Sequence, residues 1–366
     1  MKIKAAVLER PHMPFTVCDI DIAGPRPDEV LVRVHGAGIC HTDIGVRDAH
    51  FPVPMPVVLG HEAAGTVEAV GANVTSVARG DHVVLTVNTC GSCRTCRIGR
   101  PTYCEHLYER NFSGARPDGT SPLSRDGTAV HGAFFNQSSF ATYAIASERN
   151  TIRVPKSAPI EMLGPLGCGV QTGAGTVMNA LRVPAGASIA IFGAGAVGLS
   201  ALLAAKLQGC APVIVVDTRK ERLRLALKLD ADHAIDAGES DPKAVIAALT
   251  RGGVDFAVEA TGVPKVLRTA VESMHSLGVC ALVGAAPFGS EVALDVSSIF
   301  FGRTVRGVLE GDAVPHLFIP RLVELYAAGK FPFNELVKFY AFDQINEAVR
   351  DAAELGTTIK PILLTL

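Results

Sequence analysis

The run Ser188-Ile189-Ala190-Ile191-Phe192-Gly193-Ala194-Gly195-Ala196-Val197-Gly198 is the stretch around which the rest of the chain is organised. Four apolar residues suited to a buried strand end at a glycine, and a small-residue helix begins shortly after it. The glycines stand in GxGxxG spacing. Gly193 allows a tight turn, Gly195 lets backbone approach a pyrophosphate, and Gly198 lets helix and strand pack closely, while the amides of Ala196 and Val197 open a helix N-terminus toward the anion. In a chain with 36 glycines this spacing alone is equally turn chemistry. The next apolar run, Val213-Ile214-Val215-Val216-Asp217, shifts that balance. It ends in a carboxylate that can accept hydrogen bonds from the adenosine ribose hydroxyls and repel a 2'-phosphate. Together the two signals predict a dinucleotide site that favours NAD over NADP.

Around this turn, from Gly186 onward, strand and helix alternate: Ile189 to Phe192, a helix from Ala196, Val213 to Asp217, a helix to Leu229, Val254 to Glu259, then Ala281 to Gly284. Alternation of this kind predicts an α/β unit with a parallel sheet. Val266, Ala270 and Met274, with Leu267 and Val271 beside them, recur at helical spacing and read as core. Beyond Leu309 two amphipathic helices follow, one with Phe318, Leu322, Leu325 and Tyr326 in register, the other with Ile345, Ala348, Val349 and Ala352 and with Asp343 as N-cap. Before Thr151 the texture is different: short strands split by Gly and Pro, clearest at Glu29 to Val34, Gly65 to Val70 and Asp81 to Val87. Residues 111–132 lack apolar periodicity and are rich in turn formers, so they read as surface loop.

The 366 residues suffice for two domains, and 48% apolar with 19% charged residues is ordinary globular composition. A formal charge of -2 with scattered Lys and Arg predicts no nucleic-acid partner. The N-terminus reaches Glu9 and Arg10 before an apolar signal segment can develop, and the uncharged stretch from Val183 to Ala205 is broken by four glycines, so neither secretion nor a membrane span is expected. Nine cysteines in such a chain suit metal thiolates better than disulfides. Cys18, Cys210 and Cys280 stand alone and read as small buried hydrophobes.

Cys90, Cys93, Cys96 and Cys104 form C-x2-C-x2-C-x7-C, a set suited to one closed, structural, tetrahedral zinc. An iron-sulfur cluster is the rival, although the bacterial ferredoxin run places its fourth cysteine after three residues and then a proline. A zinc ribbon is the other, supported only by Arg94, Arg97 and Arg100. A second set is dispersed: Cys40 within Gly38-Ile39-Cys40-His41-Thr42-Asp43, His61 within Gly60-His61-Glu62, and Cys168 within Gly167-Cys168-Gly169. Two thiolates and one imidazole leave a fourth zinc position open to water or substrate.

GICHTD (38–43), GHEAAGTVEAVG (60–71), the four-cysteine lobe, GCGVQTG (167–173) and GAGAVG (193–198) occur in the order found in zinc-dependent medium-chain alcohol dehydrogenases, which the chain resembles over nearly its whole length. The stretch from Gly302 to Tyr340 is similar to the aryl-alcohol (benzyl-alcohol) dehydrogenase branch. The resemblance implies a β-rich GroES-like catalytic domain, 1–169 and 310–366, and a Rossmann NAD-binding domain, 170–309. It implies two zinc ions per chain, one catalytic and one structural, with NAD as coenzyme. The expected reaction is reversible hydride transfer between NAD and a primary aromatic or allylic alcohol. Thr42 would relay the hydroxyl proton, Asp43 would orient His61, and Glu62 would stand behind the catalytic zinc. His41 would meet the pyrophosphate, Arg222 and Lys360 the adenosine and phosphates, and Thr172 the nicotinamide. A cytoplasmic homo-oligomer, dimer or tetramer, is implied as well.

Two departures from the family pattern stand out. Lys360 replaces the more frequent arginine and offers a point charge in place of a planar fork. Gly45 occupies the place of the relay histidine of animal enzymes, so proton release would pass through water or another base, with His50 as the candidate and a solvated loop residue as its alternative. Two other functions remain open at this level: glutathione-dependent formaldehyde oxidation on the same scaffold, against which the apolar tail speaks, and a catalytically idle NAD-binding protein of the same fold.

Overall fold

A computed structural model of the chain describes residues 1–365. In chain order the strands are β1 (Lys2–Leu8), β2 (Thr16–Ile22), β3 (Glu29–Gly38), β4 (Val57–Val58), β5 (Glu62–Val70), β6 (His82–Leu85), β7 (Leu123–Arg125), β8 (Thr128–Val130), β9 (Tyr143–Ser147) and β10 (Thr151–Val154). There follow β11 (Ile189–Phe192), β12 (Val213–Asp217), β13 (His233–Asp236), β14 (Val254–Glu259), β15 (Met274–Leu282) and β16 (Thr304–Gly307). The last two are β17 (Val337–Ala341) and β18 (Lys360–Leu364). The chain separates into two compact units: Met1–Cys168, Val314–Ala328 and Asn334–Leu366 form the first, Gly169–Ala313 with Gly329–Phe333 the second. The boundary falls after Ala313 and not after 309, because the turn Glu310–Asp312 packs on the helix Gly169–Gly175 of the second unit.

The first unit is β-rich. One sheet runs β4-β1-β2-β7-β8, and a second runs β10-β6-β5-β3-β18-β17 with β9 also on β3. Strand β3 is the spine of the second sheet: Val30, Val32, Val34 and Ala37 are fully buried and belong to the apolar core of this unit. Burial of side chains of this size contributes about 1.5–3 kcal/mol each for the larger ones. The C-terminal strand β18 returns to pair antiparallel with β3, Ile362 opposite Gly38, which brings Lys360 beside Ile39 in the segment that follows β3.

The second unit holds a six-stranded parallel sheet in the order β13-β12-β11-β14-β15-β16, the doubly wound 3-2-1-4-5-6 arrangement. All four residues of β11 are buried, as expected for a strand covered on both faces. The uncharged stretch from Val183 to Ala205 divides into β11 and the helix Ala196–Gln208, and among the described residues no helix is long and apolar enough to cross a membrane.

Three local readings are corrected. The segment 111–132 is not simply surface loop: Asn111 and Phe112 close a helix, and β7 and β8 form a hairpin. Two of its polar residues, Asn111 and Arg116, are buried. Asn111 exchanges hydrogen bonds with the backbone of Asn88, and Arg116 binds the buried Glu29 carboxylate through Nε and Nη2 at 2.6 and 2.7 Å, a pair whose disruption costs about 3–5 kcal/mol. Met274 does not continue the helix of Val266 and Ala270. That helix ends at Glu272, and Met274 starts β15 in register with Val254. Finally, Gln344 and not Asp343 stands at the N-cap position of the helix Ile345–Val349, without a side-chain capping bond, and Asp343 lies inside the preceding tight turn.

Candidate active site

Cys40 ends the segment that follows β3 and caps the short helix His41–Arg47. His61 directly precedes β5, and Cys168 follows the tight helical turn Gly164–Gly167, whose last carbonyl accepts a 2.6 Å bond from the Thr86 hydroxyl. Three remote segments thus converge. Potential ligand atoms of Cys40, His61, Glu62 and Cys168 all lie within 4.8 Å of one another.

Asp43 ties this group together. Its Oδ2 accepts from the Cys40 backbone N–H at 3.0 Å, and its Oδ1 accepts from the Gly60 N–H and from His61 Nδ1, each at 3.0 Å. With Nδ1 donating, the Nε2 lone pair of His61 is presented to the two thiols, and this atom is buried with no hydrogen-bond partner. An orphaned imidazole nitrogen facing two thiols fits a zinc ion, for which N and S are the preferred donors. The His61 ring also stacks on Phe135 at 4.4 Å between centroids, and its backbone carbonyl accepts from Gln137 Nε2 at 3.0 Å. The hydrogen bond from Cys168, then the charge of His61, hold the Cys40 thiol well below the usual thiol range even though burial opposes this. Without a cation among the three residues, Asp43 and Cys40 raise the pKa of His61 against its burial; a bound zinc would take the place of that proton on Nε2.

Glu62 lies fully buried beside this group. Burial pushes its carboxyl up to about 7, against the pull of Lys360. Lys360 is 2% exposed, and its ammonium donates to Glu62 Oε1 at 2.9 Å, Glu62 Oε2 at 2.8 Å and the Ile39 carbonyl at 3.2 Å. An ammonium has three protons, and here all three have acceptors. Lys360, expected against cofactor phosphates, here has its charge paired with Glu62. Spacing along the chain held no sign of this, because the pairing depends on β18 returning to β3.

Thr42 keeps its hydroxyl 3.8 Å from Cys40 Sγ and is half-buried. His41, the first residue of the helix, is exposed, and so is His50. Gly45 is buried with Phe51 against it, where even a Cβ would come within 2.7 Å of the ring, so no relay imidazole fits there. Phe135 and Gln137 escaped the sequence reading: a pair of phenylalanines followed by amides has no periodicity that marks contact with a metal ligand.

The second cysteine set is gathered as the spacing predicts. Cys90 and Cys96 sulfurs lie 4.0 Å apart and Cys93 and Cys104 sulfurs 3.9 Å apart, close to the edge of about 3.8 Å of a tetrahedron with metal–sulfur bonds of about 2.3 Å. Backbone N–H groups of Ser92 and Cys93 point at Cys90 Sγ and bring its thiol down to about 5 although burial opposes them. Burial pushes Cys96 up to about 12, with Cys93 adding to the shift. Four such crowded thiols cannot all ionise without a cation among them, so the donor set fits a closed zinc site.

In the second unit, Gly193 turns at φ +99°, and a Cβ on Gly198 would sit 1.8 Å from the Gly193 carbonyl oxygen. Above Gly195 the space is open, with Arg222 Nη1 as the only neighbour, 4.0 Å from where a Cβ would be. The helix Ala196–Gln208 starts with no side-chain cap on its first amides, which leaves them to an anion. Asp217 ends β12; its Oδ2 accepts from the Ala194 N–H at 2.6 Å and its Oδ1 from Thr218 and Arg219. The Nε of Arg222 is buried and unpartnered. An open glycine cradle, free helix amides and a carboxylate at the next strand end fit a dinucleotide. Thr172 lies in the helix Gly169–Gly175.

Comparison with known proteins agrees with this geometry. Residues 26–156 match the alcohol dehydrogenase GroES-like domain, and residues 196–328 match the zinc-binding dehydrogenase family. The chain is 46% identical over 364 residues to a geraniol dehydrogenase of Castellaniella defragrans, covering 99% of this chain and 97% of that protein. The crystal structure of a benzyl alcohol dehydrogenase from Acinetobacter calcoaceticus superposes with a TM-score of 0.97 at 50% identity, with both chains covered in full. That of an alcohol dehydrogenase zinc-binding domain protein from Burkholderia ambifaria gives 0.98 at 51%, covering 100% of this chain and 99% of that one. With an α/β architecture of a GroES-like and a Rossmann-type part and kinship along its full length, the chain belongs to the zinc-dependent alcohol dehydrogenases of the medium-chain family.

Proposed function

We propose that this enzyme oxidises primary allylic or aromatic alcohols to aldehydes with NAD, and reduces the aldehydes with NADH. The observation that carries the reading is the group of Cys40, His61 and Cys168, in which His61 is buried and its Nε2 has no hydrogen-bond partner among the described residues. Relatives named for geraniol, an allylic alcohol, and for benzyl alcohol support the substrate class. When bound to these three residues, zinc supplies a Lewis acid that eases loss of the alcohol proton near neutral pH. Asp43 keeps the His61 ring in one tautomer and links it to the Cys40 backbone. Thr42, whose hydroxyl stands beside Cys40 Sγ, would take up the proton that the alcohol hydroxyl gives up. Glu62 and Lys360 form a buried, mutually neutralising pair behind the ligands. The four cysteines of the lobe hold a second, structural zinc.

NADH formation with benzyl, cinnamyl, geranyl and short aliphatic alcohols tests this assignment. Specificity constants should be at least about tenfold higher for the aromatic and allylic alcohols than for ethanol; ethanol ranking first would refute the substrate class. In the second unit the Asp217 carboxylate supports NAD over NADP. For Asp217→Gly the ratio of kcat/KM for NAD to that for NADP should fall by about tenfold or more, and an unchanged ratio would remove its discriminating role. His41, Thr172, Gly193, Gly195, Ala196, Val197, Gly198 and Arg222 complete the proposed coenzyme contacts. A homo-oligomer is supported by β16, an edge strand flanked by Leu277, Phe300 and Phe301, which are 77%, 84% and 63% exposed. Nine free cysteines, six of them in metal-suited sets, support a reducing, cytoplasmic setting.

A further inference from the structure

The turn Glu310-Gly311-Asp312 is unusual in that all three residues take left-handed backbone, with φ of 48°, 65° and 52°. Glycine accepts this conformation freely; glutamate and aspartate do so at a cost, and such turns persist only where the surroundings hold them. The surroundings here are specific. Asp312 is bound by Arg306 Nη2 at 2.7 Å, and Arg306 Nη1 donates to the Ala180 carbonyl. A Cβ on Gly311 would lie 2.5 Å from the Gln171 carbonyl oxygen, so the turn is pressed onto the helix Gly169–Gly175. Glu310 Oε2 accepts from Gln171 Nε2 at 2.9 Å and from the Thr172 hydroxyl at 3.4 Å.

Topology places this carboxylate near one end of the dinucleotide site. Glu310 follows the carboxyl end of β16 by three residues, and in a doubly wound sheet ligands lie outside the carboxyl ends of the strands. The half built on β11, β12 and β13 carries the glycine turn and Asp217, so the half of β14, β15 and β16 faces the nicotinamide end. The helix bearing Thr172 is also in close contact with the first turn of the helix Ala196–Gln208, since a Cβ on Gly173 would lie 2.0 Å from the Val197 carbonyl oxygen.

We propose that Glu310 is a charge-bearing positioning residue of the nicotinamide subsite, whose carboxylate makes that subsite prefer the oxidised, cationic ring over the reduced, neutral one. The inference rests on the NAD reading above. The two forms of the coenzyme differ by one positive charge on the ring, and a fixed negative charge acts on that difference alone. In the oxidative direction the consequence is tighter capture of NAD+ and easier release of NADH.

The test measures binding of NAD+, NADH and ADP-ribose, which lacks the ring, to the zinc-loaded enzyme. Calorimetry serves for all three, and NADH emission can be followed without tryptophan interference because the chain contains none. In Glu310→Gln the ratio of the NADH dissociation constant to that of NAD+ should fall by about five- to tenfold, with ADP-ribose affinity unchanged. Glu310→Asp, which keeps the charge, should stay near the wild-type ratio and provides a reading if the glutamine variant does not fold. Equal weakening of NAD+ and NADH, or a ratio within about twofold of wild type in Glu310→Gln, would overturn the proposal, as would an aspartate variant that loses the preference. Failure of the wild-type enzyme to bind any of the three would refute the NAD reading itself, and this proposal with it.

Discussion

Cys168→Ala enzyme should lose alcohol oxidation by at least about three orders of magnitude, retain one zinc per chain in place of two, and still bind NAD within about twofold of wild type. The size follows from the chemistry: a Lewis acid lowers the reaction barrier by several kcal/mol, and each 1.36 kcal/mol is about a factor of ten. Selectivity follows from the fold. Cys168 closes the first unit, the glycine turn lies in the second, and each unit has its own apolar core. Metal analysis by mass spectrometry, steady-state turnover and calorimetric NAD titration check the three parts. Turnover like that of wild type with one zinc bound would remove the assignment of Cys40, His61 and Cys168.

Lys360→Met should lower stability by about 3–5 kcal/mol, read from denaturant unfolding of the zinc-loaded protein. The lysine removes little water-exposed surface when it goes, being 2% exposed, but it leaves the fully buried Glu62 without its cation and the Ile39 carbonyl without a donor. Replacing both partners should cost less than the sum of the single changes. In Glu62→Gln/Lys360→Met the coupling should amount to about 1–3 kcal/mol, since neither variant side chain strands a charge. If Lys360→Met unfolds like wild type while the coenzyme dissociation constant rises sharply, the lysine serves the phosphates after all and the pairing with Glu62 is incidental.

These two residues show where reading along the chain succeeds and where it stops. Cys168 was recognisable because a cysteine between glycines, after one cysteine and one histidine in their own glycine-flanked motifs, is a ligand pattern whatever the fold does. For Lys360 the family resemblance implied a place near the phosphates, but a resemblance does not show the partner a side chain has in this fold. The partner is set by β18 adding to the edge of β3, a contact across more than 290 residues. Arg116 and Asn111 misled for a similar reason: polar residues between glycines and prolines read as solvated, yet their partners are Glu29 at the start of β3 and Asn88 in the segment after β6.

Periodicity and local chemistry act over a few residues, so composition and spacing were enough for the strands β11, β12 and β14, the glycine turn and both cysteine sets, while the family came from the resemblance of several motifs in order. Those signals arise from turn sterics, from metal-ligand preference and from the need to bury both faces of a parallel sheet, none of which depends on long-range folding. Folding in three dimensions was needed to orient His61 through Asp43, to bury Glu62 against Lys360, and to press the Glu310 turn onto the helix of Thr172. Each of these is a hydrogen bond or charge pair between segments far apart in the chain, and its strength comes from the loss of water that only the packed state imposes.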